Sequence, residues 1–187
     1  MDPIVRSAME KWPDVPDLYG WLSLDARGQW ALRGDIIRHP GLVDFIGRNY
    51  QADETGRWYF QNGPQRVFVS LACTPWIARR LSSGEFETHT QRLLPASRCL
   101  IDENGQLILV SPLGPALIDD RDLLATSAHV VDTRGEPADA EALLDDTRTI
   151  DGLRLQLGTT RIPFERVRRA ELPRRFSFEP SPTQPRP

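Results

Sequence analysis

A nine-residue pattern, apolar-Asp-x-x-Gly-Gln-x-x-Leu, stands twice in this chain: Leu24-Asp25-Ala26-Arg27-Gly28-Gln29-Trp30-Ala31-Leu32 and Ile101-Asp102-Glu103-Asn104-Gly105-Gln106-Leu107-Ile108-Leu109. An aspartate followed three residues on by glycine makes a tight turn. Its carboxylate folds back onto the backbone and the glycine takes a positive φ. Alternating apolar residues on both sides make the pattern a β-hairpin. The same turn occurs in many unrelated hairpins, so the pattern alone does not establish a repeat. What favours duplication is that each copy is followed by a short irregular stretch and then a helix. In the first half Pro40 opens a helix to about Tyr50, with Leu42, Val43, Ile46 and Tyr50 at helical spacing. In the second half Asp119 or Asp120 caps a helix carrying Leu123 and Leu124.

The expectation is an α+β fold, mainly antiparallel β, with two repeated hairpin–helix–strand units and a few short helices. The units span residues 18–95 and 96–175, preceded by an N-terminal helix and linker over 1–17 and followed by a disordered Pro-rich tail over 176–187. In the first segment Ile4, Ala8 and Trp12 fall on one helical face before Pro13 and Pro16 break it. Asp53 to Gly56 is a second turn, Arg57 to Gln61 a strand, and Asn62-Gly63 a hairpin turn. Gln65 to Leu71 returns with Val67, Val69 and Leu71 on one face and Arg66, Phe68 and Ser70 on the other. Trp76 to Leu81 pairs with Phe86 to Thr90 around Ser82-Ser83-Gly84. Ala138 to Asp145 reads as a short acidic helix, and Leu153 to Leu157 and Arg161 to Val167 as strands.

A length of 187 residues with 40% hydrophobic residues and five tryptophans buries a core without metal or disulfide support. No apolar run approaches the roughly 20 residues that cross a bilayer, and the start lacks a basic stretch ahead of an apolar one. The expected setting is therefore cytoplasmic, with no membrane. Cys73 and Cys99 have no metal or redox spacing and read as buried free thiols. A net charge of −3 makes nucleic acid an unlikely partner. Lys11 is the sole lysine, which reads as the codon bias of a GC-rich genome.

Signatures of chemistry are sparse. His39, His89 and His129 have no metal-ligand spacing. His39 precedes Pro40 and reads as a capping residue, and His89 as a residue on a solvated strand face. There is no nucleophile elbow, phosphate loop or dinucleotide fingerprint. The carboxylates Asp119, Asp120 and Asp122 read as a helix N-terminus rather than a calcium loop. No catalytic residue, metal or cofactor is assigned. The arginines between Arg161 and Arg175 are either a basic patch or a solvated edge strand. The candidate ligand-binding set is Trp21, Arg38, Trp58, Arg66 and Trp76: aromatics with arginines nearby in sequence order, suited to a small anionic or planar ligand. The competing reading is that these tryptophans are ordinary core.

The order Gly20-Trp21-Leu22-Ser23-Leu24-Asp25, His39-Pro40-Gly41-Leu42-Val43, Gly56-Arg57-Trp58-Tyr59-Phe60, Arg66-Val67-Phe68-Val69 and Thr74-Pro75-Trp76 resembles a group of uncharacterised bacterial proteins classed as domains of unknown function. A related family with a similar order is understood to adopt an α+β fold of repeated motifs, with a suggested role in ligand binding or signal transduction. The resemblance covers the first half well and the second loosely, because the second lacks a counterpart of Trp58-Tyr59-Phe60. The expectation is a non-enzymatic ligand-binding or regulatory module. The alternatives are an interaction protein that takes a protein partner through a sheet edge or the basic C-terminal stretch and, behind it, a hydrolase built on Cys73 or a histidine.

Overall fold

The computed structural model describes residues 2–12, 15–145 and 147–184. The chain divides into two compact units: residues up to Pro75 together with the segment from Ser177, and Trp76–Phe176. The expected boundary near residue 95 therefore falls inside the second unit.

The first unit begins with α1 (Pro3–Lys11), followed by β1 (Leu18–Leu24), β2 (Trp30–Leu32) and β3 (Asp35–Ile36). Then come α2 (Pro40–Arg48), β4 (Tyr50–Ala52), β5 (Trp58–Asn62) and β6 (Gln65–Leu71). The strands form one sheet in the order β3-β2-β1-β6-β5-β4. Its two central strands, β1 and β6, pair in parallel, and the outer pairings are antiparallel hairpins. In-register partners share a face. Leu24 opposite Trp30, Leu22 opposite Val69, Val67 opposite Phe60 and Phe60 opposite Tyr50 thus define one apolar face. On that face α2 buries Ile46 and sets Phe45 edge-on against Phe60, with ring centroids 5.4 Å apart. The α2 start is as expected: Pro40 supplies a helical φ, and Nδ1 of His39 accepts the Leu42 N–H at 3.3 Å.

Two expectations for this unit change. In α1 the buried residue is Val5, while Trp12 is exposed; the Ile4 side chain and Pro13 lie outside the described residues. The tail read as disordered is ordered as far as it is described. Leu71 N–H donates to Pro180 C=O at 2.7 Å, Glu179 N–H donates to Gly56 C=O at 3.0 Å, and Phe178 is buried. Gly56 has φ +82°, and a Cβ there would meet the Ser177 carbonyl oxygen, so glycine permits this close return. A Pro-rich segment reads as linker because it lacks periodicity; here one apolar side chain and backbone hydrogen bonds anchor it.

The second unit opens with β7 (Trp76–Arg80), β8 (Phe86–Thr88), β9 (Arg98–Ile101), β10 (Leu107–Ser111) and β11 (Gly114–Ile118). It continues with α3 (Leu123–Ser127), β12 (Val130–Val131), β13 (Arg154–Leu157), β14 (Thr160–Arg166) and α4 (Leu172–Arg175). The sheet order is β12-β13-β14-β9-β10-β11-β7-β8. β9 pairs with β14, and β7 with β11, in parallel; the other pairings are antiparallel. β10 is buried along its whole length, as expected of a strand covered on both sides. Asp119 caps the turn that leads to α3, accepting the Arg121 N–H at 3.0 Å. The Ala138–Asp145 segment forms a 3₁₀ turn over Ala140–Leu143 rather than an α-helix. Mixed α+β with short helices and mostly β is thus the observed class. Among the described residues, no helix is long and apolar enough to cross a membrane.

Candidate functional site

Within the first unit, Trp21, Arg38, Trp58 and Arg66 do not form one cluster. Within the first sheet, Asn62 pairs with Gln65 and Gln61 with Arg66. Counting back by alternation puts Trp58 with Phe60 on the α2 face and Arg66 with Tyr59 and Phe68 on the opposite face. Trp58 packs on Tyr50 at 4.8 Å, and Tyr50 meets Trp30 edge-on at 5.0 Å. Trp30 and Tyr50 are buried, and Trp58 is half-buried against them. Trp76 belongs to the second unit, where it is 2% exposed and its indole N–H donates to Leu113 C=O at 2.8 Å. Arg38 is exposed in the loop before α2.

On the face opposite α2, Tyr19 stacks on the buried Phe68 at 4.5 Å and 6°. The guanidinium groups of Arg57 and Arg66 lie 4.8 and 5.4 Å from the Phe68 centroid. Both arginines are neutralised. Arg66 holds Asp17 through two hydrogen bonds of 2.9 and 2.6 Å, and Arg57 Nε donates to Asp53 Oδ2 at 2.8 Å. A bidentate arginine–carboxylate pair has used the fork that an anionic ligand would need.

The other face carries a cleft of about 330 Å³, which opens between the sheet and α2. Leu18, Leu22, Phe60 and Val67 form its floor, Leu42 and Ile46 of α2 one wall, and Asn62 and Gln65 a polar end. Trp21 and Leu32 also line it, and Trp21, Leu32 and Leu42 are 38%, 45% and 40% exposed. Trp21 and Leu22 are neighbours in a strand, yet both reach the cleft. The cause is the irregular register of β1 against β6 between Leu18 and Leu22, with Gly20 at φ +72°. An irregularity of this kind re-aims a side chain that simple alternation would send to the other face.

One site residue escapes a reading by composition. Arg33 and Gly34 connect β2 and β3 with φ +51° and +93°, both central residues of a two-residue hairpin being left-handed. Arg33 N–H donates to Trp21 C=O at 2.7 Å, and its guanidinium lies 3.5 Å from the Trp21 ring centroid. A non-glycine residue in this conformation is strained, and such strain collects at ligand sites. Among the described residues no carboxylate pairs with Arg33, in contrast to Arg57 and Arg66. The Leu32-Arg33-Gly34-Asp35 turn between two apolar runs was the available signal.

The remaining chemistry-bearing residues have structural partners. His89, expected on a solvated face, is turned inward: its Nδ1 accepts the Ile77 N–H at 3.2 Å and its ring lies 5.8 Å from Trp76. Burial pushes its pKa down to about 3. Nε2 of His129 sits 2.7 Å from Arg80 Nη2 and accepts from it, since guanidinium only donates. Cys73 and Cys99 are buried and form no disulfide, and burial pushes the Cys99 thiol upward. Burial alone would raise the Asp119 pKa, but the hydrogen bonds of Arg121 and the charge of Arg79 hold it at about 2. In the C-terminal stretch, Arg166 donates to the carbonyls of Leu143 and Asp145 at 3.0 and 2.6 Å, and Arg175 pairs with Glu165 at 2.7 Å. These arginines hold loops and strands together. No group of three or more His, Cys, Asp or Glu suited to a metal ion occurs among the described residues.

The fold and site define a mixed α+β protein, mostly β, with an apolar cleft beside a cation-capped tryptophan in its first unit. The chain belongs to the DUF2944 family, described as "Protein of unknown function (DUF2946)", which matches residues 1–183. Its fold is similar to that of a DUF1285 family protein from Silicibacter pomeroyi DSS-3, at 15% identity and a TM-score of 0.52 over 87% of this chain and 94% of that one. A DUF1285 family protein from Shewanella baltica OS155 aligns at 11% identity and a TM-score of 0.41 over 56% of this chain and 88% of that one. No curated protein matches the chain.

Proposed function

We propose that this protein is a non-enzymatic module that binds a small amphipathic ligand in the cleft between the first sheet and α2. The observation that carries the reading is the cleft itself: about 330 Å³ of space walled by aliphatic and aromatic side chains, with a few polar groups at one end. Small-molecule sites have this composition and at least about 300 Å³ of volume. The apolar body of the ligand lies along Leu22, Leu32 and Leu42. Its planar or anionic part meets Trp21 and Arg33, for which no carboxylate partner occurs among the described residues. The chemistry is the small anionic or planar class read from sequence, on different residues.

A duplicated architecture is part of the proposal. What supports it is the pairing order. The first sheet runs β3-β2-β1-β6-β5-β4, and the second contains β11-β10-β9-β14-β13-β12, with the central pair parallel in both. The cleft belongs to the first unit because α2 is a nine-residue helix there, whereas α3 has five residues.

The test is a thermal-shift screen of the full chain with medium-chain fatty acids and naphthalene sulfonates. A ligand that binds only the native state raises Tm by mass action. Shifts that vanish in Trp21→Ala and Leu42→Asp support the proposal; shifts that persist in both remove the cleft as the site.

A further inference from the structure

Four Asp-x-x-Gly turns in this chain share one hydrogen-bond scheme. At Asp25, Asp53, Asp102 and Asp132, Oδ1 accepts the backbone N–H groups two and four residues on. The glycine N–H then closes on the aspartate carbonyl. This scheme fixes the carboxylate and leaves Oδ2 pointing away from the turn. The occupant of that second oxygen differs between turns.

At Asp53, Oδ2 receives Nε of Arg57 at 2.8 Å and its Nη2 at 2.7 Å. At Asp132, Oδ2 receives Nε of Arg134 at 3.2 Å. The Asp25 carboxyl is half-buried, so solvent reaches it. Asp102 stands apart. It is 4% exposed, and its Oδ2 is buried with no donor. The positions that carry arginine in the sister turns are Asn104 and Gln106 here. A buried carboxylate oxygen without a donor is costly, and a polar network with one open member is normally completed by something.

Asp102 is one of the residues that line a cavity of about 320 Å³ in the second unit. Ile101 and Val167 give the cavity apolar wall, and Glu103 and Glu171 add negative charge. Each of these two glutamates has one oxygen on a backbone N–H, that of Arg169 at 2.8 Å and that of Arg168 at 3.5 Å. Arg166 lines the same cavity, but its guanidinium is turned onto the carbonyls of Ala142, Leu143 and Asp145 and leaves Asp102 alone. Arg168 is exposed. The described residues offer no set of ligands for a metal ion there. The sister turns show which kind of donor this geometry accepts, the guanidinium of Arg57 at Asp53 and of Arg134 at Asp132.

We propose that the Asp102 cavity is a second binding site, taking the guanidinium or primary ammonium group of a small molecule onto Asp102 Oδ2. A cationic donor makes a stronger, shorter bond to a carboxylate than a neutral one. Ile101 and Val167 cover the methylene stem that carries it. The site is separate from the cleft of the first unit and does not depend on that reading.

The probe is agmatine, titrated calorimetrically into the full chain, with 1-butanol as the uncharged control and an arginine-containing tetrapeptide as the macromolecular source of the same group. Two variants accompany it. Asp102→Asn retains an oxygen for the Asn104 and Gln106 N–H groups but removes the charge. Gln106→Arg places a guanidinium where Arg57 stands in the Asp53 turn. The proposal expects agmatine to bind and butanol not to. Affinity should fall at least tenfold in Asp102→Asn, and binding should disappear in Gln106→Arg while Tm rises. A rise in Tm shows that the variant folds and that its own arginine has closed the oxygen. Agmatine binding unchanged in both variants overturns the proposal, as does binding of the tetrapeptide alone or no heat with any probe at millimolar concentration.

Discussion

The guanidinium of Arg33 lies 3.5 Å from the ring centroid of Trp21, held there by a backbone that is left-handed at Arg33. Left-handed backbone at a non-glycine residue costs about 1–2 kcal/mol, and a cation–π contact at an exposed position returns about 0.5–1 kcal/mol. Arg33→Gly is therefore expected to raise unfolding stability by about 1 kcal/mol. Arg33→Ala keeps the strain, loses the contact and lowers stability. Urea denaturation of the two variants checks this. If glycine proves the more destabilising of the two, the strain account fails.

Asp119 gives the second unit an acid-sensitive joint. Its carboxylate accepts from Arg121 Nε at 2.9 Å and lies 3.3 Å from Arg79 Nε. The folded pKa of about 2 lies below the ordinary value of 3.8. The stabilisation is therefore full above pH 4 and is lost as pH falls from about 4 toward 2, on the order of 2 kcal/mol in all. Asp119→Asn should flatten the stability profile in that window. A profile equally steep in the variant assigns the acid loss elsewhere.

His89 acts in a different window. Its folded pKa of about 3 lies below the ordinary 6.5, so the unfolded chain takes up the proton first. Stability is highest above pH 6.5 and declines by up to about 1.4 kcal/mol per pH unit as pH falls toward 3. Asparagine keeps an acceptor for the Ile77 N–H without titrating. The ratio of unfolding constants between pH 6.5 and 4.5 should be nearly constant in His89→Asn and should change strongly in the parent; equal slopes in the two proteins would refute the assignment.

The C-terminal segment is expected to be a structural part of the first unit. Phe178→Ala should lower stability by about 3 kcal/mol, as for other buried phenylalanines. Ending the chain at Phe176 should expose the amide of Leu71, which donates to Pro180. Hydrogen exchange at Leu71 reads this directly. Unchanged protection in the shortened chain would show that the segment does not hold the strand.

Much of the local structure was legible. Pro40, the helical spacing of Leu42 and Ile46 and the position of His39 gave α2 and its cap. Alternation around the Asn62-Gly63 turn gives the β5–β6 hairpin, and alternation of Leu153, Leu155 and Leu157 gives β13 as a strand. Non-local pairing was not legible. Nothing in the sequence says that β1 lies parallel to β6, and a reading of sequence neighbours put Trp58 and Arg66 together although the hairpin register sends them to opposite faces. Counting that register from the turn at Gly63-Pro64 would have separated them. Trp21 lines the cleft beside Leu32 and Leu42, residues outside the candidate set read from sequence, because the irregular β1 register that turns it toward them has no local signature. Arg57 and Arg66 looked available because their partners, Asp53 and Asp17, are polar loop residues whose pairing depends on the fold. Arg33 is not legible as a site residue, because its turn reads as a connection.

The most direct measurement is amide chemical-shift mapping of the full chain with 1-anilinonaphthalene-8-sulfonate, which joins a planar apolar body to one anionic group. The account predicts shifts concentrated at Trp21, Leu32, Arg33, Leu42 and Gln65, and affinity at least tenfold weaker in Leu42→Asp. Shifts confined to Tyr19, Tyr59 and Phe68 on the opposite face, or spread without pattern and unaffected by Leu42→Asp, would contradict it.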